Sequence, residues 1–126
     1  MNKERKEDLQ DLCRSLKIEM NDLYLLNTAL THTSYAHESK LFPKPTHSER
    51  IEFLGDSVLG LVVSTYMYKR FPKMDKGELT KRRAYLVCET SLSKYARQIG
   101  LGKYILLGRG ELLSGGRDRN SILADA

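Results

Sequence analysis

From Ser48 to Arg70 the chain runs without a proline and sets apolar residues on successive turns of a helix. Pro43 and Pro45 make the preceding stretch, SKLFPKPTHS, a loop, and Phe71-Pro72 stops the run. Proline disfavours a continuing helix on both of its sides. This is the longest element the sequence offers, and its apolar faces imply a largely buried helix. The flanking segments are helical in period as well. Leu9, Leu12, Cys13 and Leu16 recur at helix spacing among charges. A second helix begins at Asn21 or Asp22, either a good N-cap, and carries Leu23, Leu26 and Leu30 on one face. Downstream, Asp75 predicts a cap for KGELTKRRAYLVC, and Thr90 one for SLSKYARQIG, which Gly100 ends. KYILLG is a strand or a buried turn. LSGGRDRN reads as a loop, and Asn120 or Ser121 caps a last helix, SILADA, which breaks off with no length to bury a face. The fold class is all-α, one domain in 126 residues.

The long helix holds three carboxylates in its first turns, within ERIEFLGDSVLG. Glu49, Glu52 and Asp56 stand at i, i+3 and i+7. At 100° per residue they fall within about 60° of one another, on one face. Three acids so close repel, and apolar neighbours make their ionisation costlier still. A hard divalent cation such as Mg²⁺ answers both problems, because it prefers carboxylate oxygens. So does an ion-pair network with Arg50 or a basic helix. The spacing leaves both open.

Two other motifs fail on inspection. GDS at 55–57 resembles the nucleophile block of GDS-type lipases, with Ser57 as nucleophile, but that chemistry needs a histidine base near the C-terminus. The last histidine here is His47, and Ser57 is mid-helix. Gly55 and Gly60 begin a phosphate-loop spacing, yet Leu61 and Val62 stand where lysine and a hydroxyl are required.

Charge is divided along the chain. Residues 1–68 hold 8 Lys/Arg and 10 Asp/Glu; residues 69–119 hold 13 and 5. A basic half suits a polyanionic partner, whether RNA, DNA or anionic membrane, or is simply a solvated face. No apolar run reaches the roughly 18 residues a membrane helix needs. The charged N-terminus is no signal peptide. Cys13 and Cys88 have no metal-ligand spacing, which suits a reduced, cytoplasmic protein.

ERIEFLGDSVLG resembles the signature of the ribonuclease III family. ALTHTSYAHE at 29–38, GELTKRRAYLVCETSL at 77–92 and LGRGELLSGGRDRNSILADA at 107–126 resemble that family too. The resemblance implies a Mg²⁺-dependent endonuclease (Mn²⁺ substituting) that cuts double-stranded RNA to 5′-phosphates with short 3′ overhangs, as in rRNA processing. It implies a homodimer through the signature helix 49–70. Carried over, Glu52, Asp56 and Asp125 would be metal ligands, with Glu49 a supporting acid, and all four catalytic. Arg117 and Arg119, on a glycine loop before Asp125, are candidates to reach RNA phosphates. Arg109, Lys81, Arg82 and Arg83 are weaker ones. Tyr66 and Tyr68 read as packing, His32 as a structural hydrogen-bonding residue, and His37 and His47 as loop residues.

The sequence also departs from the family pattern. A further ligand glutamate is expected at position 128, beyond Ala126. Lys76 stands where many members have an acid, and Ser48 where asparagine is usual. A double-stranded-RNA-binding domain is absent from these residues. The expectation is therefore an incomplete nuclease core lacking its C-terminal helices, impaired as it stands. The rival expectation is a truncated core that dimerises or binds RNA without cutting.

Overall fold

Leu9 and Leu12 are almost wholly buried and Cys13 nearly so, on the inner side of α1 (Lys3–Leu16). Each leucine so placed contributes about 2 kcal/mol by leaving water. The computed structural model describes all 126 residues, as eight α-helices and two 3-10 turns with no sheet. In α2 (Leu23–Ala29) the Asp22 carboxylate accepts the Tyr24 and Leu25 amides, at 2.9 and 3.1 Å. That satisfies donors the first turn would leave orphaned. Asp75 does the same for α5 (Lys76–Leu86), taking the Glu78 amide at 2.8 Å. The long helix is α4 (Glu49–Arg70), ending at Phe71.

The core lies away from α4. Leu9 and Leu12 of α1 meet Leu30, Ala96 of α6 (Glu89–Gln98), Tyr104, Ile105 and Leu107, with Ile122 and Leu123 of α8 (Asn120–Asp125). Segment 101–107 threads this core. It is a 3-10 turn (Leu101–Tyr104) followed by extended residues, with a single parallel bridge between Leu106 and Thr31. KYILLG is thus buried at Tyr104, Ile105 and Leu107, though it is not a strand. The Leu106 amide donates to Leu30 O at 2.8 Å, and the His32 amide to Leu106 O at 3.0 Å.

Several expectations are corrected. The SILADA helix buries a face despite its six residues: Ile122 and Leu123 are 6% and 3% exposed, against α6. Its N-cap is Arg119, not Asn120 or Ser121. The N-cap of α6 is Cys88, with Thr90 already inside the first turn. Two short helices had no periodicity to announce them: α3 (Thr33–Glu38), which takes His37 out of the loop, and α7 (Arg109–Leu113). The largest correction concerns α4. Only Met67 is buried there, and Tyr66 and Tyr68 are exposed rather than packed. The apolar faces of a helix are buried only where something covers them, and within this chain α4 packs chiefly on α5.

Candidate functional site

The entry of α4 is fixed by backbone. The Ser48 amide donates to Thr31 O at 2.9 Å, beside the bridge that ties residue 31 to 106. Glu49 and Glu52 then occupy the first turn, where a helix N-terminus favours negative charge. Across from them α8 ends in Asp125. Two adjoining clefts of about 200 Å³ each lie between these elements. Glu49, Glu52 and Asp125 line one, with His32 and Ile105. Glu52, Asp56 and Asp125 line the other. The four acids singled out in the sequence therefore share one region, and Glu52 and Asp125 stand in both clefts.

No cation answers them. The chain's ion pairs are Lys3–Glu7, Arg14–Asp11, Arg97–Asp118 and Arg119–Glu111, and none involves these acids or Arg50. The ion-pair network allowed by the sequence is therefore not formed within the chain. Partial burial, then the negative charges of Asp125, Asp56 and Glu49, raise the proton affinity of Glu52. Burial also raises that of Asp125, followed by Glu89 and Asp56, while His32 opposes the rise. No three His, Cys, Asp or Glu side chains are gathered closely enough to hold a metal ion outright. The donor chemistry nevertheless fits one: carboxylate oxygens only, mutually repelling and without an internal counterion.

Two participants were missed or half-read in the sequence. Glu89, in the first turn of α6, acts electrostatically on Asp125; only the folding of α8 onto α6 brings it there. His32 is structural as expected, its Nδ1 accepting the Ser34 amide at 3.2 Å to cap α3. It also lines the cleft beside Asp125. The basic candidates fare differently. Arg117 and Arg119 are half-buried and bonded internally, Arg117 to the Gly102 and Ile105 carbonyls and Arg119 to Glu111 and Ser114. Arg83 donates to Ser64 Oγ at 2.9 Å. Arg109, Lys81 and Arg82 are exposed.

The raised acids give a pH signature with a definite sign. Folded Glu52 and Asp125 keep their protons to higher pH than the unfolded chain does. From about pH 4 upward the folded state binds more protons, so stability falls as pH rises through the window up to the raised values. Glu52→Gln has no such loss at its own position. In EDTA its thermal midpoint should exceed that of the unsubstituted chain by more at pH 7 than at pH 4, by about 2–4 °C at most for groups this accessible. A difference independent of pH would show that neither burial nor the neighbouring acids raise the proton affinity of Glu52.

A family model described as Ribonuclease-III-like matches residues 22–126. Ribonuclease 3 of Borreliella afzelii is 52% identical over 123 residues, 98% of this chain and 49% of that protein. Ribonuclease 3 of Natranaerobius thermophilus is 54% identical over 118 residues, 94% and 50% of the two chains. The chain thus spans about half the length of these curated relatives. A solved nuclease domain of ribonuclease III from Campylobacter jejuni, described with flexibility in a region involved in dimer formation, superposes with a TM-score of 0.82. It is 44% identical and covers 93% of this chain and 77% of that one.

Proposed function

Since this chain belongs to the ribonuclease III family, we propose that it supplies the acidic active site of an endonuclease for double-stranded RNA. The observation that carries this reading is the pair of clefts sharing Glu52 and Asp125, four acids deep and without an internal cation. Glu52, Asp56 and Asp125 would hold Mg²⁺, or Mn²⁺ in its place, with Glu49 a supporting acid on the same helix. A divalent cation so held supplies Lewis acidity and charge against the negative charge that develops on phosphate during hydrolysis. The chain's part is preorganisation. α4 presents three carboxylates from one rigid face and α8 brings the fourth across the cleft, so what remains on loading a cation is to draw these side chains together. No side-chain nucleophile is needed for hydrolysis by water. Products with 5′-phosphates and short 3′ overhangs follow by family, as do rRNA processing and a cytoplasmic location.

RNA would be read through its shape, phosphates and 2′-hydroxyls, with little sequence preference. Arg109 has its donors free for that role, whereas Arg117 and Arg119 are engaged within the fold. The rival, a core that dimerises or binds RNA without cutting, is not favoured, because the four acids the family pattern uses within these residues line one pair of clefts. The deciding experiment is incubation of a long duplex RNA with purified protein in Mg²⁺, beside EDTA, single-stranded RNA and duplex DNA. Cleavage confined to duplex RNA with Mg²⁺ is the expected result; equal cutting in EDTA would sink the reading. The family pattern expects a glutamate at position 128, so residues 1–126 alone are expected to cut more slowly than a polypeptide that also carries this acid.

A further inference from the structure

The segment before Asp125 is pinned by three arginines. Arg97, from α6, donates to Asp118 Oδ1 at 3.1 Å, to Asp118 O at 2.9 Å and to Asn120 Oδ1 at 2.6 Å. Arg119 reaches back to the Glu111 carboxylate and to Ser114 O. Arg117, in the 3-10 turn Gly116–Asp118, turns inward. Its Nη1 donates to Gly102 O at 2.6 Å and to Ile105 O at 2.9 Å. Such anchoring has a reason. α8 has six residues and no side-chain cap, and a helix that short does not hold its own conformation. Its direction, and hence the place of Asp125, depends on what it is tied to.

Arg117 ties it to the wall of the acid cleft. Ile105, one of its acceptors, lines that cleft with Glu49, Glu52 and Asp125. Gly102, the other, lies so close that an added Cβ would stand 3.0 Å from Arg117 O and 3.2 Å from Leu123 Cδ2. The same turn is held from behind by Arg5, whose Nη1 donates to Tyr104 O at 2.7 Å. Three carbonyls of one four-residue segment, those of Gly102, Tyr104 and Ile105, are thus taken by arginines from opposite ends of the chain.

We infer that Arg117 is a positioning residue for the acid site, clamping the 102–105 turn to the entry of α8 and so fixing Asp125 across from Glu52. This rests on the proposed function. It replaces a phosphate contact as the residue's role: a guanidinium with one nitrogen spent on two carbonyls is oriented into the fold. Loss of the clamp lets α8 drift and spoils the spacing of the acids, while the RNA-facing surface stays as it was.

The test uses Arg117→Lys and Arg117→Ala, with Glu52→Gln as control, in the full-length protein. Mn²⁺ uptake is followed by electron paramagnetic resonance, duplex-RNA cleavage by single-turnover kinetics. Both Arg117 variants should bind Mn²⁺ about 10-fold more weakly and cut about 10- to 100-fold more slowly, the range for partners that orient metal ligands. The KM for duplex RNA should stay unchanged. Lysine keeps the charge but lacks the planar fork, so Arg117→Lys carries the test should the alanine variant not fold. Near-normal Arg117→Lys beside an Arg117→Ala with raised KM, weaker salt dependence and normal Mn²⁺ uptake would restore the phosphate role and overturn the inference. Unchanged kinetics and uptake in both would overturn it as well. Unsubstituted protein that takes up no more Mn²⁺ than Glu52→Gln would instead remove the cation site itself, and with it the premise.

Discussion

Glu52→Gln should lower the single-turnover rate of duplex-RNA cleavage by on the order of 10³-fold or more, with folding intact and the KM for RNA little changed. Glu52 is the acid to choose because it lines both clefts. Asp125, Asp56 and Glu49 all act on its ionisation. The carboxamide keeps the shape and removes the charge. On the proposed reading what is lost is one oxygen ligand of a doubly charged cation, so the loss would fall on interactions that strengthen as phosphate gains charge. Several kcal/mol of transition-state stabilisation depend on such a cation, and about 4 kcal/mol corresponds to 10³-fold. The fold should not suffer. The substituted chain sheds a repulsive charge and should melt slightly higher in EDTA, as the pH argument requires, so slow cutting cannot be blamed on unfolding. The measurement is cleavage of a labelled duplex at saturating Mg²⁺ beside thermal midpoints in EDTA. A rate within tenfold of the unsubstituted protein would remove Glu52 from the chemistry.

How much of this was legible beforehand depended on the range of the information. The α1 stripe, the Asp22 and Asp75 caps and the Pro-flanked ends of α4 are local patterns, and each stands as read. The acids of α4 are legible for the same reason, since one helix fixes their mutual angle. α3 and α7, of six and five residues, give no full period to detect. α8 escaped as a core element because its contribution comes from docking on α6, which no local pattern encodes. The same limit explains Arg117. An arginine on a glycine loop looks free in sequence, yet its two acceptors lie 15 and 12 residues away. Glu89 is a longer case: 36 positions separate it from Asp125, and only packing makes them neighbours.

The exposed side of α4 carries the second large prediction. Periodicity correctly reports that Leu54, Val58, Leu61 and Tyr68 are apolar, but not what covers them. In the chain by itself they are 61%, 54%, 69% and 76% exposed. With Thr65 they step along the helix by four, three, four and three residues. That is the seam spacing of two helices packed together. At 100° per residue Leu61 lies about 180° from Glu52, so the seam faces away from the acids. A stripe of this kind left in water marks an interface, and we propose that it pairs with the same stripe of a second copy about a two-fold axis. In such a dimer every substitution occurs twice. Leu61→Glu forfeits leucine burial and sets a carboxylate in a dry seam, about 3 kcal/mol per copy at least. Two copies make about 6 kcal/mol, or roughly a 10⁴-fold rise in Kd. Unsubstituted protein should sediment as a dimer at micromolar concentration, and Leu61→Glu as a monomer. The monomer should still bind Mn²⁺, because the cleft lies on the opposite face of α4 and is built from one chain. Dimers persisting in Leu61→Glu would place the interface elsewhere, and a monomer that had lost Mn²⁺ uptake would mean that the acid site depends on the second copy.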